Sequence, residues 1–370
     1  MIFIAIFFVL VYSILMVVFI VIWKNQSFEV NHFNNPSNTE FSIIIPVRNE
    51  SKNVRKLLES IVNQNEKNFE VILIDDSSED DTVKIAEAFL ALLDLKILYL
   101  SNEERGNAPK KNAITKAIGV AKHDLIFCTD GDCVLPTKLL AKYAEIFNNE
   151  RIKLISGPVT FFESGGGFFN KIWEKVQIVE FASLVGSAAV SIFLGKPNMC
   201  SGANIAYRKS AFMDVNGYDG NNELASGDDE FLMHKIQHKY TDGVFFAKSK
   251  EAIVETNTCE SVVAFYNQRK RWASKWTKYD SYLPKLIAMF VFVVNLFTIY
   301  LTISGLWSIL AIRYVFEFIF LALVLGFLKK KSSILFILIV QIFYPLYVVF
   351  FGLNSLFMNK NYNWKGRKLQ

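Results

Sequence analysis

Two aspartates separated by a single glycine, Asp130 and Asp132, are the side chains of this sequence best suited to metal chemistry. They follow the apolar run 125–128, which predicts a buried strand with acids at its carboxyl end, where open α/β sheets bind ligands. Gly131 would let the backbone approach a ligand closely. Two convergent carboxylates suit a hard divalent cation, Mg²⁺ or Mn²⁺, which commonly bridges to phosphates. Because turns and solvated strand ends also show this pattern, the neighbouring motifs must decide.

Two earlier strands are predicted at 41–46 and 70–74, and polar residues occur at the end of both. These residues are Pro46, Arg48 and Glu50 at the first strand, and Asp75 and Asp76 at the second. Buried strands that end in carboxylates favour hydrogen bonds to the base N–H groups and ribose hydroxyls of a nucleoside. Each acid taken singly could instead cap the next helix. Three acid-bearing strand ends in one sheet favour the nucleoside site.

Two helix starts carry charges that suit the rest of such a ligand. Lys110 and Lys111 open the helix predicted at 109–120, where lysine charge and the helix N-terminus would hold a diphosphate. A solvated basic turn is the alternative. Asp228 and Asp229 precede a second predicted helix, and one of them could be a general base that faces the metal site. Acids at a helix start are also electrostatically favourable without any function.

A third group, Gln268, Arg271 and Trp272, lies just before a long apolar stretch. Tryptophan and arginine are common at membrane interfaces, so plain anchoring is one interpretation. The other is a sugar-binding platform, in which tryptophan stacks on a pyranose while Gln and Arg bind hydroxyls and phosphate oxygens. Position alone leaves both open.

The elements that must position these residues alternate between strand and helix. Strands are predicted at 41–46, 70–74, 96–100 and 124–129, and helices at 50–63, 82–93 and 109–120. This alternation predicts an α/β fold with βαβ units, a parallel sheet and right-handed crossovers. A Gly-x-Gly-x-x-Gly motif does not follow the first strand, which disfavours a dinucleotide-binding fold.

Composition places this domain between membrane segments. The chain is 52% hydrophobic with 34 Phe, yet its charges concentrate between about residues 40 and 280. Apolar stretches at 1–23 and near 286–306, 314–328 and 334–353 predict spans. The expected domains are an anchor at 1–23, a linker at 24–40, a soluble domain at 41–280 with interfacial helices near 168–194 and 261–280, about three spans within 281–355, and a basic tail at 356–370.

The apolar half of the 168–194 helix is too short to span, so it is expected at the membrane surface or packed on the spans, with an ordinary core helix as the alternative. Basic residues flank the central domain, which predicts a multi-pass protein of the cell (inner or plasma) membrane with a cytoplasmic domain. One span before the cytoplasmic domain and three after it would place the tail at 356–370 outside the cell, whereas its basic residues favour the cytoplasmic side. Either one late segment is re-entrant or the charge rule fails, and the sequence leaves the topology open.

The net charge and the spacing of the cysteines limit which binding partners and metal sites are expected. A formal charge of +5 fits a protein face that rests on anionic membrane lipid. The sequence has no basic patch interleaved with aromatic residues, which is the pattern that would indicate nucleic-acid binding. The four cysteines lack paired metal-site spacing, and a reduced cytoplasmic domain needs no disulfides. Nothing in the sequence points to a protein partner.

Taken in order, six motifs between about residues 41 and 272 resemble those of membrane-bound family 2 glycosyltransferases. The motifs are Pro46-x-Arg48-Asn49-Glu50, Asp75-Asp76-x-Ser78, the Lys110 segment, Asp130-x-Asp132, Ser226-Gly227-Asp228-Asp229 and Gln268-x-x-Arg271-Trp272. That family has a GT-A type fold, Rossmann-like with a mostly parallel sheet, and its members invert the anomeric centre. Relatives include cellulose, chitin, hyaluronan and poly-N-acetylglucosamine synthases and ceramide glucosyltransferase.

The resemblance implies a nucleotide-sugar donor, with a UDP-sugar expected, and a divalent metal, Mg²⁺ or Mn²⁺. The implied donor-binding residues are Pro46, Arg48, Glu50, Asp76, Lys110, Lys111 and Asp130, with Asp132 and Asp130 at the metal. Asp229 would be the catalytic base. The implied acceptor or diphosphate site comprises Gln268, Arg271, Trp272 and Asp228. Relatives often have Ala-Leu-Asn where this chain has Lys-Asn-Ala-Ile after Lys110, so the donor lysine is either Lys110 or Lys111.

The acceptor is expected to be a lipid or a membrane-associated glycan, because the predicted spans are fewer than polymer-extruding synthases usually carry. A processive polysaccharide synthase is the alternative within the same class. A catalytically silent membrane scaffold is the alternative from another class. The retention of Asp76, Asp130, Asp132 and Asp229 disfavours silence.

Overall fold

The computed structural model describes residues 1–26, 39–163, 165–273, 282–357, 362–364 and 367–369, with side chains as far as residue 354. The chain divides into two compact units. We call Ser27–Phe162, Ser191–Asn257 and Asn363–Gln370 the sheet unit, and Met1–Gln26, Glu163–Val190 and Thr258–Tyr362 the membrane unit. Most of the predicted linker at 24–40 and the end of the predicted interfacial helix at 261–280 lie outside the described residues.

The sheet unit is built on a seven-stranded sheet with the order β3-β2-β1-β4-β7-β5-β8. Its strands are β1 (Phe41–Val47), β2 (Phe69–Asp75), β3 (Leu95–Tyr99), β4 (Leu125–Cys128), β5 (Leu154–Ser156), β7 (Ile205–Arg208) and β8 (Val244–Phe246). The pairs β1–β2, β1–β4, β2–β3 and β5–β8 are parallel, and β7 is antiparallel to β4 and β5. The predicted α/β class with a mostly parallel sheet is confirmed.

The central strands show why the first half of the sheet unit could be predicted from the sequence. β1 and β2 read as nearly continuous apolar runs and are buried along almost their whole length, as expected for strands covered on both faces. The later strands have only three or four residues. Such short runs carry no usable periodicity. The same holds for β6 (Val159–Phe161) and β9 (Val254–Thr256), which form a separate two-stranded parallel sheet.

Seven helices of the described sheet unit connect these strands. They are α2 (Val54–Val62), α3 (Thr82–Glu87), α4 (Asn102–Arg105), α5 (Pro109–Val120), α6 (Leu139–Phe147), α8 (Lys209–Asp214) and α9 (Glu230–Lys239). The predicted spacing on α2 is confirmed, because Val54, Leu57, Leu58 and Ile61 are all buried. The helix predicted at 82–93 ends at Glu87, and turns complete the segment.

The membrane unit consists of apolar helices. Its elements are α1 (Ile2–Asn25), α7 (Phe168–Phe193), α10 (Val262–Ala273), α11 (Tyr282–Ile303), α12 (Trp307–Phe327), a 3-10 helix (Lys331–Phe336) and α13 (Ile337–Phe357). The last residues of α7, from Ser191 onward, belong to the sheet unit. Two short strands near the C-terminus, β10 (Tyr362–Trp364) and β11 (Arg367–Leu369), pair with each other.

By length and composition, five helical segments of the described chain could cross a membrane. They are α1, α7, α11, α12 and the segment 331–354. The sequence predicted four of them near these positions, and α7 is the additional one. A Cβ on Gly186 of α7 would lie 2.8 Å from both Phe320 and Val324 of α12. Helix α7 therefore packs closely against α12 through a glycine.

Two charged residues, Arg313 and Glu317, lie inside α12, where a polar cluster compensates their charges. Arg313 is 1% exposed, donates to Asn295 Oδ1 at 2.9 Å and also contacts Thr298. Glu317 accepts a hydrogen bond from the Tyr12 hydroxyl at 2.8 Å and lies 3.9 Å from Arg313. Ionisable residues are tolerated inside apolar helices when they pair with one another and with polar neighbours.

Replacement of Arg313 by Met is expected to lower the free energy of unfolding by about 3–5 kcal/mol, because Glu317 then remains buried without its cation. Unfolding of the purified protein in detergent would measure this loss. The double variant Arg313→Met/Glu317→Gln removes both charges and should recover much of it. Equal instability of the single and double variants would contradict the ion-pair explanation.

Candidate active site

Asp130 and Asp132 lie at the carboxyl edge of the sheet because they follow strand β4 directly. All four residues of β4 are buried, and Thr129 Oγ1 then donates to Ala203 O at 2.9 Å. Asp130 and Asp132 follow and are partly exposed. The sequence thus correctly predicted a buried strand that ends in accessible carboxylates.

Gly131 separates the two acids for a steric reason. A Cβ at this position would lie 2.8 Å from Glu50 Cγ and 3.0 Å from Val47 Cγ1. From the sequence, this glycine was expected to let the backbone approach a ligand. In the structure, it is the end of β1 and the side chain of Glu50 that come close. Gly131 therefore allows the ends of β1 and β4 to meet.

Lys110 forms ion pairs with two acids, Asp130 and Asp228, that are distant from each other in the sequence. It lies in the first turn of α5, directly after Pro109. Its Nζ is 2.8 Å from Asp130 Oδ1 and 3.0 Å from Asp228 Oδ2, and its side chain is 20% exposed. Burial alone would lower the pKa of this ammonium, but Asp130 and Asp228 raise it well above its ordinary value. Lys110 is therefore a permanent cation between the two carboxylates.

Asp229 is held by backbone donors on both of its oxygens. Oδ1 accepts from Glu230 N at 2.8 Å, which makes Asp229 the N-cap of α9, and Oδ2 accepts from Gly202 N at 2.8 Å. Asp229 therefore caps α9, as the helix-start interpretation predicted, and it also lies near enough to Lys110 to raise the pKa of that lysine. Its role as a general base stays a prediction. Its two backbone bonds fix the orientation of the carboxylate.

Gly202 is a site residue that the sequence analysis missed. A Cβ there would lie 3.1 Å from Lys110 Nζ and 3.1 Å from Asp228 Oδ2. Any side chain would therefore press on this ion pair. The available signal was a Ser-Gly-Ala run just before β7, but that strand is too short to have been predicted.

Lys111 has different surroundings from its neighbour. It is 1% exposed and donates to Asn221 O at 2.8 Å. Its ammonium lies 5.2 Å from the centre of the Phe231 ring and 5.9 Å from that of Tyr218. Lys111 thus supports the loop that leads into α9, whereas Lys110 faces the acids. Of the two lysines left open by the sequence, the geometry favours Lys110 as the diphosphate ligand.

The predicted nucleoside residues gather at the ends of β1 and β2. Arg105 Nε donates to Asp76 Oδ1 at 2.7 Å, and Arg48 Nη1 donates to the carbonyl oxygen of Asp76 at 2.7 Å. Asp76 therefore does not act as a simple helix cap. Glu50 accepts from Asn53 Nδ2 at 2.9 Å. Arg105 was not predicted from the sequence; it lies on α4, 29 residues beyond Asp76.

Asp75 and Pro46 have local structural roles. Both carboxylate oxygens of Asp75 accept from Ser78 N, at 3.2 and 3.1 Å, so this acid stabilises the turn after β2. Pro46 lies within β1, in register with Ile74 of β2.

Gln268, Arg271 and Trp272 lie on α10 in the membrane unit. Gln268 Oε1 accepts from Cys259 Sγ at 3.3 Å. The buried cation of this helix is Arg269, which is 3% exposed, whereas Arg271 is partly exposed. The structure thus adds Arg269 to the predicted group.

Arg269 is fixed by charge and by aromatic rings. Its Nε donates to Glu180 Oε1 at 2.9 Å, and its Nη2 also bonds the other oxygen of Glu180. The guanidinium lies 4.2 Å from the ring centre of Trp272 and 4.4 Å from that of Phe265. Since residues 269 and 272 are three apart on a helix, this stacking was a foreseeable signal. The position of Trp272 therefore depends on the pair formed by Arg269 and Glu180.

The donor set of the site fits a divalent metal. Three or more His, Cys, Asp or Glu side chains do not converge as a metal site anywhere in the described part of the chain. Mg²⁺ and similar ions, however, commonly take one or two protein carboxylates and complete their shell with phosphate oxygens and water. Asp132 and Asp130 offer such a pair of partly exposed carboxylates. Lys110 Nζ already contacts one oxygen of Asp130.

Residues 42–215 match the family described as glycosyl transferase family 2. The chain carries a family 2 glycosyltransferase domain. Poly-beta-1,6-N-acetyl-D-glucosamine synthase from Staphylococcus epidermidis is 26% identical over 234 residues, covering 63% of this chain and 53% of the synthase. Glycosyltransferase AglE from Haloferax volcanii is 26% identical over 191 residues, covering 51% of this chain and 58% of AglE. The chain thus spans little more than half the length of these relatives.

A solved structure supports the fold of the family 2 domain. The mannosyltransferase PcManGT from Pyrobaculum calidifontis, in complex with GDP-Man and Mn²⁺, aligns with a TM-score of 0.55. The alignment covers 95% of this chain and 99% of PcManGT at 13% sequence identity. The GT-A type fold predicted from the resemblance is confirmed.

Substitution of Gly131 by Ala should destabilise the protein by about 1–3 kcal/mol, because the new methyl group overlaps Glu50 and Val47. Gly119→Ala is the matched control, since a Cβ there meets nothing within 4 Å on the exposed side of α5. The control should gain about 0.5–1 kcal/mol. Thermal unfolding in detergent compares the two, and equal shifts would refute the close approach at Gly131.

Proposed function

We propose that this protein is a metal-dependent inverting glycosyltransferase that moves a sugar from a nucleotide-sugar to a lipid or membrane-associated glycan. The observation that carries the proposal is the cluster of Lys110, Asp130 and Asp228 at the carboxyl edge of the sheet, beside Asp229. It lies at the position where α/β sheets bind ligands, in a chain with a family 2 glycosyltransferase domain. Apolar helices that could cross a membrane support a membrane acceptor.

The donor is proposed to be a UDP-sugar. Glu50, Asp76 and Arg48 would bind the nucleoside, with Pro46 shaping the end of β1, and Lys110 would bind the diphosphate. The relative named for poly-beta-1,6-N-acetyl-D-glucosamine synthesis supports transfer of a hexosamine. PcManGT binds GDP-Man, which makes a GDP-sugar the donor to compare first.

A divalent ion is proposed as the cofactor, held by Asp132 with Asp130, and the Mn²⁺ in PcManGT supports this choice. When bound there, such an ion supplies positive charge that stabilises the negative charge on the departing diphosphate. Lys110 adds a second positive charge from the protein itself. Both charges are worth most in the transition state, where the diphosphate leaves.

Asp229 is proposed as the base. Its backbone bonds to Gly202 and Glu230 hold the carboxylate in a fixed orientation. Asp229 would take the proton of an acceptor hydroxyl as that oxygen attacks the anomeric carbon from the face opposite the diphosphate. One displacement inverts the anomeric centre. Gln268, Arg271 and Trp272, together with Asp228, are proposed to hold the acceptor or the diphosphate.

The proposed location is the cytoplasmic face of the cell membrane, with α7 as an interfacial or packed helix. Strands β5 and β7 flank α7 in sequence yet pair in one sheet. Both ends of α7 must therefore remain on the same side of the membrane, although 26 residues are long enough to cross it. Helices α1, α11, α12 and α13 are then the proposed crossing helices.

A processive polysaccharide synthase is the second candidate, and the match to a poly-beta-1,6-N-acetyl-D-glucosamine synthase favours it. The two candidates differ in product length. A single sugar on a lipid supports the first, and a ladder of polymer on a gel supports the second.

The proposal is tested with purified protein in detergent, a panel of UDP- and GDP-sugars, and membrane lipid extract as acceptor. We expect release of nucleotide from one donor that depends on Mn²⁺ or Mg²⁺. Absence of hydrolysis and transfer with every donor, together with absence of nucleotide binding, would refute the function and favour a silent scaffold.

The variant Asp229→Asn should reduce transfer by about 10²–10⁴-fold, because the amide cannot accept the proton. It should leave nucleotide affinity unchanged, as measured by calorimetry. Loss of nucleotide binding instead would place Asp229 in the donor site and remove its assignment as base.

Cysteine labelling tests the location of α7. Single cysteines at Glu150 and Lys250, which are both exposed and lie before and after α7, should react with a membrane-impermeant maleimide from the same side. Inside-out and right-side-out vesicles compare the two sides. Labelling from opposite sides would show that α7 crosses the membrane.

A further inference from the structure

The position of Lys110 has a consequence for metal binding. Its ammonium lies 2.8 Å from Asp130 Oδ1, one of the oxygens that the proposed cation site offers. A divalent ion bound to Asp130 and Asp132 would then lie within about 5 Å of the ammonium. Even at the dielectric constant of bulk water, repulsion at this distance weakens binding of a divalent ion roughly tenfold, and the effect is larger in a partly buried site.

The ammonium also has a strong reason to stay where it is in the absence of nucleotide. Asp130 and Asp228 both pair with it, and Asp229 adds to the negative field around it. Without a cation, these carboxylates would repel one another across a partly buried site. Lys110 thus performs the neutralising role that a metal would perform in the same place.

A nucleoside diphosphate changes this balance. Lys110 is in the first turn of α5, a helix of 12 residues whose N-terminus attracts anions. The diphosphate would offer the flexible lysine side chain a new anionic partner beside that helix start. The acids that it leaves would then require another cation.

We propose that Lys110 is an exchangeable counter-ion: it neutralises Asp130 and Asp228 before the donor binds and transfers its ammonium to the donor diphosphate, which opens the acids to the divalent cation. This inference rests on the proposed function, since it takes the ligand to be a nucleoside diphosphate. Metal and nucleotide then bind cooperatively. By linkage, the factor by which nucleotide tightens metal binding equals the factor by which metal tightens nucleotide binding.

The test measures Mn²⁺ affinity by electron paramagnetic resonance and calorimetry, without nucleotide and with saturating UDP or GDP. Lys110→Met should bind Mn²⁺ more tightly than the unmodified protein when nucleotide is absent, by a factor of roughly ten or more. The enhancement of Mn²⁺ binding by nucleotide should fall by a similar factor. Lys110→Gln is a second neutral variant should the Met variant fail to fold, and Lys110→Arg should retain weak binding.

The matched control is Lys116→Met, on the same helix. Lys116 forms an ion pair with Glu104 at 2.7 Å, away from the acid cluster, so Mn²⁺ affinity should not change. Unchanged or weaker Mn²⁺ binding in both neutral Lys110 variants would overturn the proposal, whatever the sugar specificity. Tighter Mn²⁺ binding in those variants without nucleotide supports Lys110 as the counter-ion of the acids. Absence of binding of both UDP and GDP would instead refute the proposed donor class and, with it, the transfer of the ammonium to a diphosphate.

Discussion

Carboxylates that are collected at one edge of a sheet repel each other, and the sheet unit depends on how that repulsion is neutralised. Parallel strands end at the same edge, so the acids that follow β2 and β4 lie at that edge on either side of β1. Lys110 compensates Asp130 and Asp228, and Arg105 compensates Asp76. Each counter-charge comes from a different segment of the chain. These ion pairs therefore hold together helices and loops that are distant from one another in the sequence.

The membrane unit follows the same rule in a less polar setting. The pair Arg269 and Glu180 is buried among aromatic rings, and Arg313 and Glu317 lie within an otherwise apolar helix. A buried ion pair of this kind contributes little net stability, but the loss of one partner is costly. Such pairs restrict which helices can lie side by side. In this chain they connect α7 with α10, and α12 with α1 and α11.

Much of the sheet and its acidic edge could be predicted, because long apolar runs such as β1 and β2 carry a clear signal and the acids follow them directly. The short strands β5 to β9 could not, since three or four residues do not establish a period. Arg105 and Gly202 were missed for another reason: their partners are distant in sequence. The choice between Lys110 and Lys111 needed coordinates, because adjacent residues on a helix face different directions.

The placement of β7 links folding of the sheet unit to the membrane. This strand lies between β4 and β5 in the sheet, yet it follows the apolar helix α7 in the chain. The sheet cannot close during synthesis until α7 has left the ribosome. A version cut from residue 41 to residue 257 would still carry α7 as an internal apolar insertion. Trimming both termini therefore would leave this apolar helix in the remaining domain, and we expect such a domain to require detergent or lipid.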